Sequence, residues 1–68
     1  ILHRQQLAIV RDALAELPER TRMAVELHRL EGLKTREVAA RLGISVTRAH
    51  TLIAEGVAHC RRRLKSFP

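Results

Sequence analysis

The chain has 68 residues, of which 46% are hydrophobic, and a formal net charge of +6 at pH 7. This length allows one small domain, whose core must be aliphatic because Phe67 is the only aromatic residue. No apolar run approaches the roughly 20 residues that cross a bilayer, and the first residues do not resemble a signal peptide. A single cysteine excludes an internal disulfide and fits a reducing compartment. We therefore expect a cytoplasmic protein without membrane insertion and, because the sequence opens on Ile1, a fragment of a longer protein.

The basic residues are distributed unevenly along the chain. Residues 1–33 contain five basic and five acidic residues, whereas residues 34–68 contain eight basic and two acidic residues. The whole net charge of +6 therefore lies in the second half. This one-sided basicity favours a polyanionic partner, and a solvated charged face is the alternative.

Apolar residues at helical spacing predict two helices in the first half. The first runs from about Leu2 to Leu17 and ends there because Pro18 displaces the residue before it from the helical conformation. The second follows Pro18 and reaches about Glu31, with Gly32 as its C-cap. The predicted inward residues are Leu7, Val10, Leu14, Leu17, Met23, Ala24, Leu27 and Leu30.

The second half predicts a short helix, a sharp turn and a longer helix. Thr35 is suited to cap the third helix, and Gly43 can adopt the left-handed conformation that a sharp turn needs. Ile44 fills the corner, and Ser45 caps the fourth helix. The predicted inward residues are Val38, Ala39, Leu42, Ala49, Leu52, Ile53, Gly56, Val57, Cys60 and Leu64. This register is typical of a helix-turn-helix, so the predicted fold class is all-α with four helices.

Two residues on the fourth helix carry sharper predictions. A glycine in mid-helix costs about 1 kcal/mol relative to alanine, which predicts that another helix crosses closely at Gly56. A free cysteine behaves as a small hydrophobe, so we expect Cys60 to be mostly buried and slow to react with thiol reagents.

A series of short motifs extends over about residues 12–64. The motifs are Leu17-Pro18, Arg22, Glu31-Gly32-Leu33, Thr35, Glu37-Val38-Ala39 and Leu42-Gly43-Ile44-Ser45. Together they resemble region 4, the C-terminal domain, of the extracytoplasmic-function sigma factors of bacterial RNA polymerase. The run VAHCRRRL further resembles the iron-starvation subgroup, the ferric-citrate type.

This resemblance implies a function in transcription initiation. Region 4 recognises the −35 promoter element in double-stranded DNA and docks on the flap of the polymerase β subunit, and anti-sigma regulators often contact it. Many members carry basic residues where this chain has His50, Leu52 and Glu55, so no promoter sequence is carried over.

The outer face of the fourth helix supplies the candidates for reading DNA, because a recognition helix reads bases with its N-terminal turns. The base-reading candidates are Thr47, Arg48, His50 and Thr51. Arg48 stands out because a guanidinium can bond both acceptors of a guanine. The predicted phosphate contacts are Lys34, Thr35, Arg36, Arg41 and Ser45. The run Arg61 to Arg63, with Lys65, either contacts distal phosphates or simply suits the C-terminal end of the helix dipole.

Apolar residues outside the inward stripes are candidates for a partner surface. Val25 and Leu33 are the two that we predict, because a region 4 domain must hold polymerase while its basic half holds DNA. An ordinary surface with scattered apolar residues is the alternative. The histidines lack the spacing of a zinc site and no nucleophile turn accompanies them, so we expect no metal, cofactor or enzyme activity.

Two other classes of protein contain similar helices. A LuxR-type effector domain would bind DNA as a dimer, but its usual Val-Lys-x-His run is replaced here by Ala49-His50-Thr51-Leu52. A helical interaction module would bind a protein through the neutral half and would not bind DNA. Salt-sensitive binding to duplex DNA separates the module from the other two classes, and single-site rather than palindromic binding separates the sigma factor from the LuxR type.

Overall fold

The computed structural model describes residues 4–66 of the chain. Its helices are α1 (Arg4–Ala15), α2 (Glu19–Val25, continued by a π-helical turn, Glu26–Leu30), α3 (Thr35–Leu42) and α4 (Val46–Lys65). No strand occurs within this range, which confirms the predicted all-α fold of four helices. The predicted start of the first helix, Leu2, lies outside the described residues. Within them, no helix is long and apolar enough to cross a membrane, and no three metal-ligating side chains come together.

The hydrophobic core lies among α2 with its π-helical turn, α3 and α4. The buried residues of this core cluster are Ala24, Leu27, Val38, Ala39, Ala49, Leu52 and Ile53. Leu33, Leu42, Ile44 and Val57 are partly buried and pack against the cluster. Because burying one large aliphatic side chain stabilises a fold by about 1.5–3 kcal/mol, this cluster is the main source of apolar stabilisation.

The second helix ends in a wider turn than the sequence predicts. The Glu31 N–H donates to the Glu26 carbonyl at 3.1 Å, five residues back rather than four. The wider turn changes the directions in which the side chains of residues 26–30 leave the helix axis. Leu30, which was predicted to point inward, is consequently 70% exposed.

α1 packs on α4 rather than in the core cluster. Only Ala13 and Leu14 of this helix are buried. Leu7, also predicted to point inward, is 50% exposed, because a groove and not another helix lies beside it.

α2 and α4 are in close contact at Gly56, as predicted. A Cβ atom added to Gly56 would lie 2.2 Å from Val25 Cγ2 and 3.3 Å from Thr21 Cγ2. Val25 is buried, with 5% of its surface exposed, whereas the sequence predicts an apolar residue exposed on a partner surface. Leu33, the other residue predicted there, is partly buried against the core cluster.

Candidate nucleic-acid interface

A tight turn fixes the direction of α4 relative to α3. Gly43 adopts the left-handed conformation with φ 69° and ψ 36°. The Ile44 N–H donates to the Ala39 carbonyl at 3.0 Å, and the Gly43 N–H donates to the Ala40 carbonyl at 3.3 Å. These bonds satisfy carbonyl groups that the helix end would otherwise leave free. The sharp turn predicted at Gly43 and Ile44 is therefore confirmed.

Hydrogen bonds also cap the starts of the two helices. The Lys34 N–H donates to Glu37 Oε1 at 2.7 Å, so Lys34 is the cap of α3. Thr35, which was predicted to be that cap, is instead the first residue of the helix, because the Glu37 carboxylate reaches back to Lys34. Ser45 caps α4 as predicted, since its Oγ accepts from the Arg48 N–H at 3.0 Å. The partial positive charge at a helix start favours the binding of an anion at the start of α3 and at the start of α4.

The first two turns of α4 present polar side chains on the side away from the core. Thr47, Arg48 and His50 are all exposed. Thr51 is partly buried, and its hydroxyl donates to the Thr47 carbonyl at 3.1 Å. The Thr51 hydroxyl oxygen therefore remains able to accept a hydrogen bond. The four predicted base-reading residues thus lie together at the N-terminal end of one helix.

The predicted phosphate-binding cations lie along α3 and are not neutralised within the domain. Lys34, Arg36 and Arg41 are exposed. Both ion pairs found among residues 4–66 involve Glu16, which is on a different part of the chain. Three exposed positive charges without an ion pair in the described residues favour the phosphates of a nucleic acid.

The turn, the caps and the exposed polar face define a helix-turn-helix domain of the DNA-binding class. The family model described as "Sigma-70, region 4" matches residues 7–60, and the chain belongs to this family. It is 37% identical over 60 residues to the RNA polymerase sigma factor FliA of Pseudomonas aeruginosa, covering 88% of this chain and 24% of that protein. The chain thus spans about a quarter of the length of this relative. No solved structure matches the chain.

An apolar groove that the sequence did not predict lies on another side of the domain. It has a volume of about 360 Å³ and lies between α1, the π-helical turn and α4. Its lining residues are Val10, Leu14, Val25, Arg29, Leu30, Val57, Cys60, Arg61 and Leu64. Cys60 is half-buried rather than mostly buried, because it opens into this groove, and burial raises the pKa of its thiol.

An ion-pair cluster joins the end of α1 to α4. The Glu16 Oε1 atom lies 2.9 Å from His59 Nε2, and Glu16 Oε2 pairs with the Arg63 guanidinium. The hydrogen bond from Arg63, followed by that from His59, holds the pKa of the Glu16 carboxyl below its ordinary value. Arg63 therefore has a partner within the domain, which neither interpretation of the basic run had included. The sequence contained one signal for this cluster. His59 and Arg63 are four residues apart on α4, and residues at this spacing lie on the same face of a helix.

Proposed function

We propose that this chain recognises the −35 promoter element in double-stranded DNA as part of a sigma factor, and so directs transcription initiation. The observation that carries the proposal is the exposed polar end of α4, fixed by the Gly43 turn, in a chain of the sigma-70 region 4 family. In a helix-turn-helix the second helix of the motif, which is α4 here, enters the major groove with its N-terminal turns towards the base edges.

The two sets of polar residues have different roles in this proposal. Thr47, Arg48, His50 and Thr51 contact base edges. Lys34, Thr35, Arg36, Arg41 and Ser45 contact phosphates, with Thr35 and Ser45 contributing through backbone N–H groups at the helix starts. Contacts to phosphates set the position of the domain on the duplex, and contacts to bases select the sequence.

Two arginine substitutions test these roles on a −35 duplex selected from a random library. Arg48→Ala should weaken binding to the selected duplex by about 1–3 kcal/mol and relax discrimination at one base pair. Arg36→Ala should weaken binding to all sequences alike and flatten the salt dependence. Arg20→Ala, at an exposed arginine of α2, is the control and should leave affinity unchanged. Identical effects of Arg48→Ala and Arg36→Ala across sequences would contradict the two roles.

We also propose that the apolar groove, which Val25 lines and Leu33 does not, docks the flap of the polymerase β subunit, and that an anti-sigma regulator competes for it. Leu30 lines this groove and is 70% exposed, and Leu7 lines a second groove that shares Val10, Leu14 and Leu30 with the first and is 50% exposed. An exposed apolar cluster of this kind is typical of a protein-binding surface.

Aspartate substitutions separate the two surfaces. Leu30→Asp should abolish binding to the isolated flap and leave DNA affinity unchanged. Val46→Asp is the matched control, because Val46 is also an exposed apolar residue, at 53%, but lies at the start of α4. It should weaken DNA binding through its negative charge and leave flap binding intact. Normal flap binding by Leu30→Asp would remove the groove from the proposal and leave the DNA assignment standing.

The narrower assignment, to the extracytoplasmic-function group and its ferric-citrate type, is a proposal supported by the VAHCRRRL run at residues 57–64. A chimaera tests it. This domain should restore promoter-specific transcription when it replaces region 4 of a ferric-citrate-type factor, and should fail when it replaces region 4 of FliA. The opposite result would contradict the subgroup. Binding of one domain per duplex, without an inverted repeat, would separate the sigma factor from the LuxR-type alternative.

A further inference from the structure

α1 contacts chiefly α4, whereas α2, α3 and α4 all contact one another. None of its twelve residues, Arg4–Ala15, belongs to the core cluster, and only two of them are buried. A helix of this length is marginal in water without tertiary contacts. The ordered position of α1 therefore depends on its contacts with α4.

A cluster of polar contacts with α4 lies directly after the last residue of α1. Glu16 belongs to the three-residue connection between Ala15 and Glu19, and its carboxylate accepts hydrogen bonds from His59 and Arg63. We call these three residues, Glu16, His59 and Arg63, the Glu16 clasp.

The charge of Glu16 is unfavourable for α1 itself. A carboxylate at the C-terminal end of a helix lies at the negative end of the helix dipole, and the last turn of α1 contains no basic residue to offset it. The compensating charges come from α4, so the carboxylate is favourable only while α1 is docked. Asp12, one turn earlier on α1, adds to the negative field at Arg63.

We propose that α1 detaches from α4 as a unit while α2, α3 and α4 stay folded, and that the Glu16 clasp sets the fraction of molecules in which α1 is docked. The connection at residues 16–18 is the pivot, since it includes Pro18, whose backbone has φ −55° and ψ 148°. Detachment removes one wall of the apolar groove and exposes the apolar side chains of α4 that Leu14 covers.

Hydrogen exchange of the whole chain, followed by mass spectrometry, tests this inference. Backbone amides of α1 should exchange faster than those around Leu52 in the wild-type protein, because exchange reports local opening. Glu16→Gln should increase the exchange rate of α1 by about threefold, the scale of an exposed ion pair, and leave α3 and α4 unchanged.

Two further variants and a control make the result decisive. Arg63→Gln should increase α1 exchange less than Glu16→Gln does, because His59 still contacts Glu16, and the double variant should exchange no faster than Glu16→Gln. Glu31→Gln removes an exposed carboxylate that has no ion pair within the described residues, so it should leave α1 exchange unchanged. Equal protection of α1 and α4, or an equal increase throughout the chain in Glu16→Gln, would overturn the inference.

Discussion

The helix-turn-helix and α1 are held in place by different forces. α3 and α4 share buried side chains of the core cluster and a hydrogen-bonded turn at Gly43. α1 buries two side chains and is held by an ion-pair cluster whose carboxylate lies at the surface. Packing fixes the orientation of a recognition helix before DNA arrives, which lowers the entropy cost of binding. Salt screens a surface ion pair, so we expect added salt to weaken the docking of α1 on α4 and to leave the packing of α3 on α4 unchanged.

The largest effect should come from a core leucine. Leu52→Ala should lower the free energy of unfolding by about 2–5 kcal/mol, because it leaves a cavity in the core cluster. Leu7→Ala, in the half-exposed part of α1, should change it by no more than about 0.5 kcal/mol. Urea unfolding followed by circular dichroism measures both. Similar losses of unfolding free energy in the two variants would show that α1 and the core cluster contribute equally to the stability of the fold.

The next effect concerns the contact of α2 with α4. Gly56→Ala should lower the free energy of unfolding by about 1–3 kcal/mol, because the added Cβ meets the buried and rotationally restricted Val25. Helix propensity alone predicts the opposite, a gain of about 1 kcal/mol. Ala54→Gly, at an exposed position of the same helix, is the control and should cost about 1 kcal/mol. A stabilised Gly56→Ala variant would mean that the helices can move apart without loss.

A smaller effect should come from the two glycines with positive φ. Gly43→Ala and Gly32→Ala should each cost about 1–2 kcal/mol in thermal unfolding, since φ is 69° and 75° at these positions. A Cβ at either glycine would meet no atom within 4 Å, so the cost is conformational. Only Gly43→Ala should also weaken DNA binding, because Gly43 sets the direction of α4. Equal DNA affinity of the two variants would contradict that role of the turn.

The smallest effect should be the pH dependence of α1 docking. The folded-state pKa of Glu16 lies below its ordinary value of 4.5. Its contribution is therefore fully present above that value and is lost as the pH falls through the folded-state pKa. Amide chemical shifts of α1 in NMR spectra should move over this acidic range in the wild-type protein and not in Glu16→Gln. The same transition in both proteins would assign it to another carboxyl group.

The helix-turn-helix could be predicted because its signals are local. The helical spacing of the apolar residues, Gly43 in the turn and the Ser45 cap all lie within residues 35–53. Each of these signals predicts the same motif. The burial of Val25 could not be predicted, because it depends on Gly56, a residue 31 positions away whose missing side chain lets the helices approach. The exposure of Leu30 follows from a five-residue turn that a helical period of 3.6 does not contain. The partner of Glu16 lies on another helix, 43 and 47 residues along the chain.

The π-helical turn at Glu26–Leu30 has a consequence for how this domain can evolve. A π turn differs from an α turn by one inserted residue, so deleting one residue there restores the α-helical bond pattern. That deletion changes which side chains line the groove and leaves α3, the Gly43 turn and the start of α4 untouched. If the groove docks the flap and the start of α4 reads the promoter, as we propose, mutations in the π-helical turn and mutations at the start of α4 change these two functions separately.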